Sequence, residues 1–283
     1  MSETSVAQPI KPASGIRTQA KPRLKALARH VRAAVMPARI VIGRLKLLSP
    51  IPRRFSGAYA SHAQALSAAA AGQLAGYDHD EVAEVSFEKM CQVMVWDYPV
   101  LFWLERLLPQ VGRLVDAGGH MGTKFRAFRS FLPIDGEVDW VVYDLPAIVR
   151  AGRARAAQEG LNGLAFTDDL ATVAGADLFL ASGLLQYLDV PLSELLHRLP
   201  SLPRHLIINK LAVREGKTVV TLERIGKAMV PYQIRNRQGF MAELSGLGYN
   251  VIDRWTIPSL SHVIDTHPEL GASQSMGLYL RLD

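Results

Sequence analysis

Leu114-Val115-Asp116-Ala117-Gly118-Gly119-His120-Met121-Gly122 reads as an apolar strand ending in an acid, then a glycine turn, then the start of a helix. Small residues at such a turn let the backbone approach a ligand closely, and the helix that follows offers free N–H groups. A dinucleotide fingerprint needs G-x-G-x-x-G. Counted from Gly118, the third position is His120 and the sixth is Thr123, so a pyrophosphate turn is compromised. Asp116, just before the turn, repels phosphate and suits a cationic ligand.

Around this stretch, short apolar runs alternate with helical segments, the signature of βαβ units and a parallel sheet. Strands are predicted at 113–117, 139–143, 164–166, 177–181 and 205–209. Between the second and third of these, Asp144 is placed to cap a helix, Pro146 suits its first turn and Gly160 follows its end. After Lys210 the pattern changes to an extended arm at 218–222, a helix at 239–247 stopped by Gly248, and strands at 249–255 and 277–282. No obvious helix joins the last two strands, which predicts an antiparallel final strand. The expected fold is therefore α/β, with about seven strands, the last antiparallel, and helices on both faces.

Upstream, residues 58–75, 86–95 and 99–108 read as helices that form a cap ahead of the sheet. Leu24, Leu27, Val31 and Val35 fall at helical spacing among lysines and arginines, a basic amphipathic stretch that Pro37 is expected to end. The division is a basic, partly disordered extension over 1–54, a helical cap over 55–110 and a catalytic domain over 111–283. Charge follows the same boundary. Through Arg54 there are 12 Lys or Arg against Glu3 alone, while the remaining 20 basic and 25 acidic residues leave the rest net negative. Such a tail seeks anionic surfaces, and residues 23–48 are read as a peripheral contact with anionic membrane or an acidic partner. Cys91 is the only cysteine, the early residues lack a secretory apolar core, and no run is long enough to span a bilayer. A cytoplasmic location is expected, with contact at the inner membrane face through the extension. The sequence does not set the oligomeric state.

The run from Asp116 to Gly122 resembles the first motif of S-adenosylmethionine (SAM)-dependent methyltransferases, with His120 in place of the usual middle glycine. Tyr143-Asp144-Leu145-Pro146 resembles the second-strand motif of small-molecule O-methyltransferases, whose acid binds the ribose hydroxyls. With Trp96-Asp97-Tyr98-Pro99, Ala181-Ser182-Gly183, Gln186-Tyr187-Leu188 and the segment from Pro231 to Arg237, residues 96–282 are similar to a bacterial family of SAM-dependent methyltransferases often associated with surface-polysaccharide biosynthesis. The resemblance implies a Rossmann-like methyltransferase fold and SAM as cofactor. The cofactor-binding residues would be Asp116, Gly118, Gly119, Gly122, Asp144, Leu145, Asp168 and Ser182, with Asp144 toward the ribose and Asp168 toward the adenine.

Methyl transfer from a sulfonium depends mainly on holding the acceptor in line, and a base is needed only if the acceptor must lose a proton. His120, in the ligand turn, is a catalytic candidate as a base or else a filler over the methionine part, and Gln186 and Tyr187 are the other candidates, since the fourth strand ends beside the methyl group in this fold. Tyr232, Arg235, Asn236 and Arg237 are read as an acceptor loop whose two arginines can fork onto a carboxylate or phosphate. Each has a plainer reading. Asp144 can be only a helix cap, Asp168 a loop acid, Gln186 and Tyr187 packing residues, and the arginines surface partners of Glu223 or Glu243. No metal-ligand spacing is present. The function expected is SAM-dependent O-methylation of a small-molecule or carrier-linked acceptor, with a glycan or other anionic acceptor in view. The alternatives are a non-catalytic SAM-binding or interaction module, a nucleic-acid methyltransferase, against which the acidic core argues, and an NAD-dependent oxidoreductase.

Overall fold

The computed structural model describes residues 20–49, 51–69, 87–134, 136, 138–226 and 228–283. Five strands run parallel in the order β4 (Leu164–Thr167), β3 (Asp139–Tyr143), β2 (Arg113–Ala117), β5 (Leu178–Ser182) and β6 (His205–Arg214). β10 (Gln274–Leu282) lies antiparallel to β6, and β9 (Tyr249–Thr256) pairs antiparallel with β10 at the edge. Six parallel strands with a reversed last strand inserted beside the fifth define the Rossmann-like methyltransferase fold, not the all-parallel dehydrogenase sheet. The five predicted crossover strands fall within one residue of the observed ones, except that β6 runs on to Arg214.

Alternation along the central strands supplies two cores. Leu114, Trp140, Leu178, Leu180 and Ile207 pack with α4 (Tyr98–Leu107), α5 (Thr123–Phe128) and α6 (Pro146–Gln158), through Leu104, Phe125, Phe128 and Val149. Val115, Ala117, Phe179, Leu206 and Ile208 pack on the other face against α7 (Leu192–Leu196) and α8 (Arg237–Gly246), through Leu195, Leu196, Phe240 and Leu244. Both faces are covered, as a parallel sheet requires.

The length of β6 positions the site. β5 pairs with it only as far as Asn209, whereas β10 follows its other edge to Val213. Past the end of β5, Val213 and Arg214 pair with Arg235 and Asn236 of β8 (Ala228–Asn236), which forms an antiparallel ladder with β7 (Val219–Ile225) and β1 (Phe55–Tyr59). A second small sheet thus stands at the carboxyl edge of the first. The arm expected at 218–222 is extended, as one strand of a hairpin, but the segment 231–236, read as a loop because of its polar residues, is the other strand, which corrects that reading. The predicted helix at 58–75 starts too early, because Phe55-Ser56-Gly57 alternates buried and half-buried positions and adds a strand to the edge of β7. α2 (His62–Ala68) follows it, capped by Ser61, and residues 70–86 lie outside the described set. Of the helix predicted at 86–95, the described residues keep one turn, α3 (Phe87–Met90), so it ends five residues early.

Pro37 does not end the N-terminal helix: α1 runs from Ala20 to Leu45. A proline removes one helical N–H and crowds the preceding turn, at a cost of about 3 kcal/mol. The helix beyond it is held by docking. A Cβ at Gly43 would lie 2.9 Å from Pro268 and from the Thr266 carbonyl, so helix and loop pack backbone to backbone, and Arg44 pairs with Glu269 and the Thr266 carbonyl. Among the described residues no helix is long and apolar enough to cross a membrane.

Candidate functional site

The glycine turn closes at the carboxyl end of β2. Gly118 has φ 72°, and a Cβ there would meet Leu184 at 2.9 Å; one at Gly119 would lie 2.5 Å from the Asp116 carboxylate. Gly122, at φ 77°, starts α5. His120 also takes a left-handed conformation, φ 56°, so the middle position keeps a glycine-like backbone despite its side chain. Its N–H donates to Asp144 Oδ2 at 2.8 Å, and the Leu145 N–H donates to Oδ1 at 2.8 Å. Asp144 is thus not the cap of α6, whose N-cap residue is Leu145. Its carboxylate ties the end of β3 to the turn, and burial raises its pKa.

Asp116 is buried and accepts the Trp140 indole N–H at 3.2 Å. Loss of hydration raises its carboxyl to about 7, against the opposing pull of that bond and of Lys124. The His120 ring is also buried, with neither nitrogen bonded, and desolvation lowers it to about 4. The imidazole is therefore neutral near pH 7.

These groups open onto a cavity of about 710 Å³, of a size usual for small-ligand sites. One half is lined by Asp116, Gly118, His120, Thr123, Asp144, Leu145, Ser182 and Leu184. The other half is formed by Met90, Met94, Trp96, Gln186, Tyr187, Lys210, Tyr232, Leu260 and His262, with Arg54 at its wall. Here β8 of the second sheet supplies Tyr232, and β7 supplies an acid that holds two of the lining residues. Glu223, 3% exposed, accepts Arg54 Nε at 3.0 Å and the Tyr187 hydroxyl at 2.7 Å. His262 stacks on Phe55 with ring centroids 3.8 Å apart and touches Tyr232 edge-on. Beneath them, Lys124 Nζ pairs with the fully buried Asp97 at 2.7 Å.

Of the residues expected from sequence, Asp116, Gly118, His120, Asp144, Leu145, Ser182, Gln186, Tyr187 and Tyr232 line the cavity. Gly119 and Gly122 shape the turn without lining it. Asp168 is exposed and outside the lining. Arg235, Asn236 and Arg237 are also not brought to the cavity, because the segment is a strand and not a covering loop. Arg235 donates to the carbonyls of Leu185, Leu188 and Val190, Asn236 caps α8 by accepting the Gly239 N–H, and Arg237 pairs with Glu215. The sequence did not single out Asp97, Lys124, Arg54 or Glu223 as site residues; of Asn209 and Lys210, read as a strand end able to reach the cleft, Lys210 lines the cavity and Asn209 does not.

No protein-family model and no curated protein matches the sequence. Among solved structures, the chain is similar to the N-terminal domain of EvdMO1 with S-adenosylhomocysteine bound, at 12% identity over 68% of this chain and 83% of that one, TM-score 0.48. It is also similar to the Burkholderia thailandensis 1,6-didemethyltoxoflavin-N1-methyltransferase with 1,6-didemethyltoxoflavin and S-adenosylhomocysteine bound, at 18% identity over 67% and 79% of the two chains, TM-score 0.43. Likeness of this extent carries no argument about chemistry, which rests on the site.

Proposed function

We propose that the chain is a SAM-dependent methyltransferase acting on a small acceptor, with methylation at oxygen. One observation carries this reading: two acids, the buried Asp116 and the half-buried Asp144, stand on adjacent strand ends around the Gly118–Gly122 turn, inside one cavity at the carboxyl edge of the sheet. That arrangement suits a nucleoside carrying positive charge and opposes a pyrophosphate.

The turn is a cradle that side chains at Gly118 or Gly119 would fill, so the residues present fit SAM. Asp144 is the group for the ribose hydroxyls, using lone pairs left over from its two backbone bonds. Asp116 would lie toward the positive charges of the methionine part, and Leu145 and Leu184 are apolar walls. SAM supplies a methyl group already activated on sulfur; the chain's own contribution is to orient the acceptor and exclude water. The half lined by Trp96, Tyr187, Tyr232 and His262 is the acceptor side. The Arg235 and Arg237 side chains that favoured a glycan or other anionic acceptor are engaged elsewhere, and Arg54 and Lys124 are paired with acids, which also weighs against a nucleic-acid substrate.

Calorimetry with SAM, S-adenosylhomocysteine and NAD tests the reading. Binding of the first two and not the third is expected. Preference for NAD, or no binding of any, would overturn it, and SAM bound but never consumed in the presence of candidate acceptors would favour the non-catalytic binding module.

A second proposal concerns α1. Residues 20–49 carry eight basic and no acidic residues, and Val41, Ile42, Leu45, Leu47 and Leu48 are exposed beside them. This combination fits an anionic membrane surface.

A further inference from the structure

Lys210 interrupts β6 where the main sheet gives way to the second one. Met276 of β10 is opposite Leu211 and Leu278 is opposite Ile208, so Asn209 and Lys210 together face the single residue Gly277. This is a β-bulge, which turns a side chain out of the strand's ordinary alternation. Lys210 occupies it at φ 58°, a conformation that glycine or asparagine adopts at lower cost. The lysine lines the cavity, and its Nζ lies 2.8 Å from where a Cβ on Gly183 would be, at the end of β5. Among the described residues no hydrogen bond is made by the Lys210 side chain, whereas Lys124, a buried lysine that also lines the cavity, is satisfied by Asp97. A left-handed backbone at a lysine is costly, and its half-buried amine makes no bond that would offset the strain.

Resting on the methyltransferase reading, we propose that Lys210 is a catalytic residue that binds the acceptor's acidic hydroxyl, of phenol or enol type, and takes its proton as the methyl group is transferred. The O–H bond breaks toward Nζ, the oxygen forms a bond to the methyl carbon, and the carbon–sulfur bond breaks with its electron pair returning to sulfur. The positive charge that began on sulfur ends on the Lys210 ammonium, so charge and atoms balance. Acceptor and lysine share one proton, and the pair titrates as a unit. The aromatic side chains of Trp96, Tyr187 and Tyr232 give the flat ring of such an acceptor its walls. The groups facing the amine agree with the role: burial and the Lys124 charge lower it to about 8, against the pull of Asp97 and Asp116.

Three measurements on the full chain test this. Competitive amine labelling read by peptide mass spectrometry should give Lys210 a midpoint near 8; a midpoint above 10, like that of an exposed lysine, overturns the proposal. Lys210→Asn should raise Tm by a few degrees through relief of the bulge, while Lys210→Met keeps SAM and S-adenosylhomocysteine affinity within about threefold; a fall in Tm with Lys210→Asn would mark a structural residue and overturn it. With S-adenosylhomocysteine present, 4-nitrophenol should bind as its yellow phenolate at about pH 5.5, where the free phenol is almost wholly protonated and colourless, and Lys210→Met should abolish that added absorption. No phenol binding, or an unchanged spectrum in the variant, overturns the assignment. If S-adenosylhomocysteine itself does not bind, the methyltransferase reading fails first, and the labelling and Tm results still judge the lysine.

Discussion

At the scale of single residues, the site depends on charges held where water cannot reach them. Asp116 shows the consequence most directly. With its carboxyl at about 7, the folded chain holds a proton that the unfolded chain releases near 3.8, so stability falls as pH rises between those values and levels off above 7. Ligand binding has the opposite sign, because a sulfonium is attracted to the ionised form. The affinity of SAM relative to S-adenosylhomocysteine should therefore rise several-fold between pH 6 and 8, and Asp116→Asn should flatten that ratio. Calorimetry at the two pH values checks both, and a flat ratio in the unaltered chain would remove Asp116 from the sulfonium's surroundings. Arg235 and Arg237 separate along structural lines. Arg235→Ala strips donors from three backbone carbonyls beneath the turn that carries Gln186 and Tyr187, and should cost about 1–3 kcal/mol. Arg237→Ala removes an exposed ion pair worth below about 1 kcal/mol. Thermal unfolding should show a clear drop in Tm only for the first, and equal drops would contradict the assignment.

At the scale of elements, the segment before α4 is fastened to the turn by one buried ion pair. Asp97 Oδ2 accepts both the Met94 N–H at 3.0 Å and Lys124 Nζ at 2.7 Å, so the chain that carries Met94 and Trp96 into the cavity is pinned to α5. Removing one partner leaves a buried charge, and Lys124→Met should cost about 3–5 kcal/mol, while Asp97→Leu combined with Lys124→Met recovers much of it. Denaturant unfolding of the single and double variants measures the difference; additive losses would show that the two groups do not act as a pair. This element also shows how far sequence reading reaches. Strands β2 to β5 were legible because each is a short apolar run between turn residues, and Asp116 and Asp144 because they end such runs. The β7–β8 hairpin was not, since Gln233, Arg235 and Asn236 lend β8 the polarity of a loop. Its register is set by pairing with β1 and with the overlong β6, contacts that lie far apart in the chain. The place of Lys210 at a strand end facing the cleft was legible, but its bulge was not, because a bulge is defined by the strand opposite.

At the scale of the whole molecule, charge and apolar surface are divided between the sheet domain and α1. Among the described residues the helix is docked where Gly43 and Arg44 meet the loop at Thr266–Glu269, and that loop continues from His262 in the cavity wall. Leu48 is 83% exposed, and Val41, Ile42, Leu45 and Leu47 are open beside it, so the docked end buries little of its own apolar surface. Each lysine or arginine near an anionic bilayer contributes about 1 kcal/mol, and the apolar side chains add burial in the headgroup layer. Arg39, Arg44 and Lys46 lie in the same stretch as the exposed leucines, and Arg44 is already paired with Glu269, so the attraction expected from this end is that of a reversible contact. The full chain should therefore sediment with phosphatidylglycerol vesicles at low salt and be released at high salt, where the Debye length shrinks to about 3 Å. It should leave neutral phosphatidylcholine vesicles in suspension. Ile42→Glu with Leu48→Glu removes apolar contact and adds repulsion without touching the docked Gly43, and should abolish sedimentation while SAM affinity is unchanged. Equal sedimentation of the altered and unaltered chains, or none with either lipid, would leave α1 as a helix whose exposed side chains bind no membrane.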